Sequence, residues 1–237
     1  MIVLPQLHAG SAEPFPDPRR ALDQPNGLLA FGGDLSAGRL LDAYRHGIFP
    51  WFNEGEPILW WSPDPRCVFR TDALHVSRRT RRSLANSGWT VTVDHAFDQV
   101  IRGCAGARAK ERGTWISPEM MRAYEALHHR GNAHSVEIWD GARLAGGIYG
   151  VAVGKLFCGE SMFSALSGGS KAALIALCAV LAERGCPLLD AQVSNPHLLS
   201  MGAVEIPRES FLAQIETLTA IDVSAGLWRD AEPSFLT

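Results

Sequence analysis

The sequence predicts an α+β fold, and three observations support this class. The 237 residues are 46% hydrophobic and 20% charged, which is typical of a globular protein that buries a core. Short alternating apolar runs around a turn at Asp140-Gly141 indicate an antiparallel meander. A nearly all-apolar segment at residues 170–184 follows and indicates a buried helix. Strands grouped together and then followed by helices are typical of α+β proteins.

The first 65 residues predict a small N-terminal lobe, and residues 66–237 predict a larger domain. The lobe is rich in proline and glycine and contains one clear helix, which Ser36 caps and Gly47 ends. Two aromatic runs follow this helix, at residues 48–52 and 58–61. A segment of this length buries too little apolar surface for a core of its own, so we expect it to pack against the rest of the chain.

Helix caps and apolar spacing predict the elements of the larger domain. Ser77 and Ser117 precede helical patterns at residues 78–86 and 118–131, and Asp94 precedes one that stops at Gly103. Strands are predicted at residues 89–93, 135–139, 144–153, 155–163, 188–193 and 205–206, with a short helical turn at 197–201.

Several protein classes are excluded by the sequence. The longest apolar run, residues 172–182, is shorter than the ~20 residues that cross a bilayer, so no membrane partner is expected. Five cysteines without a CxxC pair are typical of reduced thiols, and we expect a cytoplasmic protein. The eight histidines are scattered, and no GxxxxGK[ST] or GxGxxG loop is present, so neither a metal nor a nucleotide cofactor is expected.

The net charge of −3 conceals a local excess of positive charge. Between Arg66 and Arg82 lie six arginines and one acid, Asp72. Arg78, Arg81 and Arg82 are spaced so that they share one face of a helix. Such a stripe can bind a polyanion such as nucleic acid, although a solvated helix face is the commoner role of charged runs. Both interpretations stay open on the residues alone.

Packing in a hydrophobic core does not explain three further groups of residues. Glu160 interrupts an apolar strand, and Asp190 and Gln192 lie two residues apart on another strand and therefore on one face. The alternative for these residues is an edge strand that faces water. Four tryptophans lie near turns, with ordinary packing of the lobe as the alternative: Trp51, Trp60, Trp61 and Trp115.

Long and unusual motifs extend from about residue 4 to residue 211. They are PNGLLAFGGDLS at residues 25–36, GIFPWF at 47–52, PILWWSPDPR at 57–66, GTWI at 113–116, HSVE at 134–137, FCGESMF at 157–163 and DAQV at 190–193. In these motifs the chain resembles the leucyl/phenylalanyl-tRNA–protein transferase family.

The resemblance implies a fold and an activity. The larger domain would be similar to the GNAT acyltransferase fold. The enzyme would move leucine, phenylalanine or methionine from aminoacyl-tRNA to the α-amine of proteins that begin with Arg or Lys, and so tag them for degradation as N-degrons. The implied partners are leucyl- or phenylalanyl-tRNA and these proteins. No cofactor is implied, and we expect a monomer.

The resemblance also implies roles for the polar residues. Asp190 and Gln192 would be the catalytic pair, and Glu160 would contact the acceptor. An aminoacyl ester is already activated, and an α-amine with a pKa of about 7.7–8.0 is partly neutral in the cell, so no protein nucleophile is required. Whether Asp190 or the terminal ribose of the tRNA takes the proton stays open.

Binding of the aminoacyl-tRNA is assigned to three further groups. Trp51 and Trp115 would stack on the terminal adenosine, and the helical face of Arg78, Arg81 and Arg82 would hold tRNA phosphates. The choice between leucine and phenylalanine stays open, because three pocket positions depart from the family's Met or Phe. The implied pocket residues are Ile148, Phe157, Met162, Ser164, Leu174, Leu177, Leu181 and Leu189, of which Ile148, Leu177 and Leu181 are the departures.

Two other functions are considered. A GNAT-type acetyltransferase would carry a Q/R-x-x-G-x-G/A loop, whereas the buried helix here opens with Ser167-Gly168-Gly169-Ser170-Lys171. A non-catalytic RNA-binding module would explain the arginines and tryptophans but would leave Glu160 and Asp190 without a role.

Overall fold

The computed structural model of the protein describes residues 4–109, 114–221 and 228. Within these residues it has eleven strands, seven α-helices and a short 3-10 helix at Pro18–Arg20. The α+β class is confirmed. Among the described helices, none combines the length and the apolar character that a membrane span requires.

The strands form two sheets. They are β1 (Gln6–Leu7), β2 (Leu28–Gly32), β3 (Phe49–Pro50), β4 (Leu59–Trp61), β5 (Arg66–Arg70), β6 (Thr90–Val93), β7 (Ala133–Asp140), β8 (Arg143–Val153), β9 (Leu156–Ser164), β10 (Leu188–Gln192) and β11 (Val204–Ile206). The small sheet has the order β1-β2-β4-β3, and the large sheet has the order β11-β5-β10-β9-β8-β7-β6. The predicted hairpin is confirmed one residue later, because Asp140 still pairs with Arg143. In the large sheet, β9 and β10 form the parallel pair.

Three of the helices begin where the sequence places a serine cap, whereas the helix predicted to be capped by Asp94 begins at Phe97, and the Asp94 carboxylate instead accepts the backbone N–H of Ser135. The α-helices are α1 (Ala37–Arg45), α2 (Arg78–Ala85), α3 (Phe97–Ala109), α4 (Pro118–His129), α5 (Gly169–Glu183), α6 (Pro196–Ser200) and α7 (Arg208–Thr219). The hydroxyls of Ser36, Ser77 and Ser117 each accept a hydrogen bond from a backbone N–H in the first turn of their helix. The predicted all-apolar helix is α5.

The N-terminal lobe shares its core with the rest of the chain. One apolar cluster joins Leu29, Ile48 and Trp60 of the lobe to Tyr124 of α4 and Phe211 of α7. Residues 4–65 therefore pack against the rest of the chain. A second cluster lies under α5.

The predicted end of α3 at Gly103 is wrong, because the helix continues to Ala109. Gly103 serves packing instead of termination. A Cβ atom at this position would lie 2.5 Å from the ring of Phe163 on β9. The glycine therefore lets the helix and the sheet approach closely.

Several elements are absent from the sequence prediction. Strand β5 is not predicted, because an arginine at each end gives it the pattern of an exposed segment. In the structure Arg66 is nevertheless buried, at 1% exposure. The strands of the lobe are short and lie among turn residues, and helix α7 carries no side-chain cap. Each of these segments lacks the local signals on which the prediction depends.

Candidate active site

A cavity opens where two parallel strands separate. β9 and β10 pair at residues 156–158 and 188–190. Past this point each strand carries an extra residue in its other ladder, Glu160 opposite β8 and Ala191 opposite β5. A bulge of this kind leaves one residue unpaired and bends the strand. Next to the two bulges lies a cavity of about 290 Å³.

The walls of the cavity differ in chemistry. Glu160 and Gln192 contribute polar groups, and Trp51 and Trp115 contribute aromatic ones. The apolar part is lined by Phe69, Ile148, Met162, Leu174, Leu189 and Leu198. Apolar walls with a few polar groups are typical of small-molecule sites.

Glu160 is nearly buried, yet it lines the cavity. Its Oε2 accepts a hydrogen bond from the Tyr124 hydroxyl at 2.6 Å, and its Oε1 accepts one from the Gln192 side-chain amide at 2.7 Å. The Tyr124 hydroxyl lies 2.6 Å from that of Tyr44. Sequence reasoning missed both tyrosines, because their spacing fits ordinary helix core.

The environment of Glu160 disfavours its charge. Burial raises the pKa of Glu160 to about 7, even though its hydrogen bonds favour the ionised form. Among the described residues, no lysine, arginine or histidine forms an ion pair with Glu160. A cation that enters the cavity would therefore find a buried carboxyl group without a counter-ion.

Asp190 is the opposite case. It is completely buried and is not part of the cavity wall. Arg66 on β5 donates to both carboxylate oxygens, from Nε at 2.8 Å and from Nη2 at 2.7 Å. Oδ1 also accepts the backbone N–H of Gln192 at 2.9 Å. The carboxylate therefore faces a salt bridge, and the direct approach to a substrate amine that the sequence suggests has no support in this geometry.

Gln192 adopts an unusual backbone conformation. Its φ is 62°, in the left-handed region that residues other than glycine rarely occupy. The bulge at Ala191 and the hydrogen bond from Gln192 to Asp190 accompany this conformation. The side chain of Gln192 reaches Glu160 as a result. Strained residues of this kind concentrate at functional sites.

The tryptophans divide into two groups. Trp51 is 46% exposed and, like the half-buried Trp115, lines the cavity. Trp60 is completely buried and donates to the carbonyl of Gly32, so it packs in the lobe. Trp61 supports Trp51, since its Nε1 donates to the Trp51 carbonyl at 2.7 Å.

The eight implied pocket residues also divide. Four of them line the apolar part of the cavity: Ile148, Met162, Leu174 and Leu189. The other four do not line it. Phe157, Leu177 and Leu181 are buried in the core cluster behind the wall, and Ser164 is exposed and accepts the N–H of Ser170 at the start of α5. Phe69 and Leu198 were missed, because β5 was not predicted and α6 carried no pocket signal.

The six arginines between residues 66 and 82 do not form one continuous basic surface. Arg66 is buried with Asp190, and Arg70 pairs with Asp72 at 3.1 Å. The α2 arginines, including Arg81, are exposed. Within the described part of the chain none of these α2 arginines forms an ion pair. A shallow depression on α2 is lined by Arg78, Arg79, Arg82, Ser83 and Asn86.

Two protein-family models match the chain. Residues 68–216 match the model described as leucyl/phenylalanyl-tRNA protein transferase, and residues 33–64 match the model of its N-terminal domain. The protein is therefore a transferase that uses aminoacyl-tRNA. The chain belongs to the leucyl/phenylalanyl-tRNA–protein transferase family.

Individual relatives agree. The chain is 59% identical over 223 residues to the leucyl/phenylalanyl-tRNA–protein transferase of Xanthomonas euvesicatoria pv. vesicatoria, covering 94% of this chain and 89% of the relative. It is 52% identical over 220 residues to the protein of the same name from Shewanella baltica, covering 93% of each.

Among solved structures, the C-terminal domain of a putative lysylphosphatidylglycerol synthetase from Agrobacterium fabrum aligns with a TM-score of 0.41 at 12% identity. The alignment covers 84% of this chain and 63% of that one. A likeness at this level supports no conclusion, and the GNAT-like class stays a prediction.

Proposed function

We propose that the protein transfers leucine, phenylalanine or methionine from aminoacyl-tRNA to the α-amine of proteins with N-terminal Arg or Lys. The product would be a new peptide bond and a tag for N-degron degradation. One observation carries the choice of acceptor: Glu160 is a buried carboxyl group at the cavity wall, and no described residue forms an ion pair with it.

The acceptor supplies the missing cation. The side chain of an N-terminal Arg or Lys would pair with Glu160, and a charge-assisted hydrogen bond of this kind contributes about 1.5–3 kcal/mol. Apolar or acidic N-terminal residues would leave Glu160 uncompensated or repel it. The preference therefore follows from electrostatics.

The donor fits the remaining walls. Its terminal adenosine would stack on Trp51 and Trp115, at about 1–3 kcal/mol for each stacked base. Its leucine or phenylalanine side chain would occupy the apolar part of the cavity. The exposed arginines of α2 would hold phosphates of the tRNA body. Besides Arg78, Arg81 and Arg82, this includes Arg79, because Arg79 also lines the depression on α2.

The chemistry requires alignment more than activation. The neutral α-amine attacks the ester carbonyl carbon, the new C–N bond forms, and the bond from carbon to the ribose oxygen breaks. One amine proton is lost, and the released ribose oxygen gains one. Gln192 lines the cavity and would orient the amine, whereas Asp190 would act through Gln192.

We also propose the division into a small lobe, residues 1–65, and a GNAT-like catalytic domain, residues 66–237. In support, the described strands of the small sheet all precede residue 62, and those of the large sheet all follow residue 65. The proposed enzyme acts as a monomer in the cytoplasm, where aminoacyl-tRNA is present.

The test is transfer of radiolabelled leucine from leucyl-tRNA to a peptide that begins with Arg. A matched peptide that begins with Glu is the control, and acetyl-CoA replaces the tRNA in a third reaction. We expect labelled peptide with the Arg acceptor alone. Transfer to both peptides would contradict the role of Glu160, and acetylation would favour the GNAT-type alternative.

A further inference from the structure

Arg66 is a buried arginine whose hydrogen-bond partners each adjoin a segment that lines the cavity. Its side chain is 1% exposed, and it lies on β5 between β11 and β10 of the large sheet. Three of its nitrogens donate hydrogen bonds, two to Asp190 and one, from Nη1, to the carbonyl of Gly47 at 3.0 Å. The partners are far apart in sequence: Asp190 lies on β10 of the large sheet, and Gly47 lies in the turn between α1 and β3.

The first contact leads to Gln192. Arg66 holds the Asp190 carboxylate, and the same carboxylate accepts the backbone N–H of Gln192. This hydrogen bond supports the left-handed φ of 62° at Gln192. Arg66 is thus two hydrogen bonds away from the residue that orients the proposed acceptor.

The second contact leads to Trp51. Gly47 ends α1 with a φ of 72° and is followed at once by the segment that carries β3 and Trp51. Phe49, Pro50 and Trp51 of this segment all line the cavity. A hydrogen bond to the Gly47 carbonyl therefore holds the start of the proposed adenosine wall.

Two aromatic rings fix the guanidinium between these contacts. Its central carbon lies 4.9 Å from the ring centroid of Phe49 and 4.6 Å from that of Phe211. Cation–π contacts of this kind stabilise a desolvated guanidinium. A lysine could not replace it, because an ammonium lacks the planar fork that binds both carboxylate oxygens and stacks on rings.

We propose that Arg66 is a positioning residue that couples the two walls of the cavity, the Gln192 wall through Asp190 and the Trp51 wall through Gly47. The proposal rests on the proposed function, since it assumes that Gln192 serves the acceptor and Trp51 the donor. A buried ion pair is often replaceable by apolar residues without loss of stability. Its connection to both walls gives this pair a role that apolar packing cannot supply.

The test compares Arg66→Lys with Arg208→Lys. Arg208 is also buried and also donates from Nη1 to a backbone carbonyl, that of Ser62 at 2.7 Å, but it does not line the cavity. For each variant we would measure the melting temperature, kcat, and the affinity for a leucyl-adenosine analogue in which an amide replaces the ester. The analogue reports on the Trp51 wall without any reaction.

Arg66→Lys should lower kcat by about 10- to 100-fold, as expected when charge-assisted hydrogen bonds are lost. It should also weaken analogue binding by about 3- to 10-fold, because the Trp51 wall is loosened. Arg208→Lys should lower the melting temperature while both quantities stay within about threefold of the wild type.

The proposal is overturned if Arg66→Lys keeps wild-type kcat, or if it changes kcat but leaves analogue binding intact. If Arg66→Lys does not fold, Phe211→Leu removes one stacked ring outside the cavity wall, and unchanged kcat and analogue binding there would likewise contradict the coupling. Failure of the wild type to transfer leucine to the Arg peptide would instead contradict the proposed function.

Discussion

This protein carries two contrasting sets of ionisable side chains, the buried carboxyl groups at and behind the cavity wall and the exposed arginines of α2. Glu160 lines the cavity and Asp190 lies behind its wall; Asp190 is paired with Arg66, and Glu160 has no ion-pair partner among the described residues. On α2, Arg78 and Arg82 are exposed. The two sets therefore differ in the sign of their charge, carboxyl groups against guanidinium groups, and also in dielectric environment, since one is buried and the other is exposed to water.

The difference predicts different behaviour in solution. A buried charge interacts strongly with a few neighbours and is little screened by salt, so it can orient a substrate or select one cation. An exposed charge interacts weakly with any single group but attracts a polyanion over a distance, and salt screens it. Variants of Glu160 and Asp190 should therefore change rates and specificity, whereas variants of the α2 arginines should change salt-dependent affinity.

The largest effect is expected for Asp190→Asn. Removing one partner of a buried salt bridge leaves Arg66 uncompensated and should cost about 3–5 kcal/mol of unfolding free energy. Transfer should fall at least about 100-fold, because an amide cannot accept from both Arg66 nitrogens, and the side chain that fixes the backbone of Gln192 is then no longer held in place. Thermal unfolding, kcat and tRNA binding would be measured together. tRNA affinity should persist, and a loss of affinity as large as the loss of rate would argue against this role.

A double variant separates stability from positioning. Arg66→Met with Asp190→Leu replaces the ion pair by apolar groups, a change that is often neutral or stabilising. We expect it to regain much of the stability lost in Asp190→Asn without regaining transfer. Recovery of both would mean that the pair serves stability alone.

The next largest effect is expected for Glu160→Gln. The change keeps the size of the side chain and removes its charge, so the KM for Arg- or Lys-initiated peptides should rise about 10- to 100-fold. The donor KM should change little. Tyr124→Phe is the matched variant, since it removes a hydrogen bond to Glu160 and leaves the carboxyl group in place. An unchanged acceptor KM in Glu160→Gln would mean that Glu160 supports the structure and does not bind the acceptor.

Glu160 should also make stability depend on pH. Its pKa is raised to about 7 in the folded state, so the folded protein binds this proton more tightly than the unfolded chain does. The associated stability is fully present below about pH 4.5 and is lost as the pH rises through about 7. Relative to Glu160→Gln, the wild type should therefore lose up to ~3 kcal/mol between pH 5 and pH 8.

Chemical denaturation of both proteins at the two pH values would measure this loss. The constant cost of placing an amide among the partners of Glu160 cancels in the comparison. A wild-type curve parallel to that of the variant would mean that Glu160 does not titrate in this range.

Sequence patterns predict the structural features that depend on residues close together in the chain. Ser36, Ser77 and Ser117 were identified as caps because capping is decided within one turn of helix. The meander and α5 followed from periodicity for the same reason. Glu160 and Gln192 stood out as polar residues in predicted strands, the resemblance of motifs supplied their roles, and the structure brings them to one cavity.

Long-range pairings could not be predicted in this way. Arg66 and Asp190 are 124 positions apart, and in the sequence Arg66 belongs to a basic run that suggests exposure. The bulge at Ala191 breaks the two-residue period on which the shared face of Asp190 and Gln192 was based. The sequence predicts a helix end at Gly103, because no local signal shows that Phe163 packs against this glycine.

The smallest effect, and the one that tests the other side of the comparison, is expected for the triple variant Arg78→Ala, Arg79→Ala and Arg82→Ala. If these side chains hold phosphates, the slope of log affinity against log salt should fall by about 2–3, and leucyl- and phenylalanyl-tRNA should weaken equally, since phosphate contacts do not read sequence. The kcat at saturating tRNA should stay near the wild-type value. A control that removes three exposed arginines elsewhere has the same net charge: Arg122→Ala, Arg130→Ala and Arg143→Ala. Equal slopes for the two triple variants would mean that net charge alone attracts the tRNA and that α2 is an ordinary solvated helix.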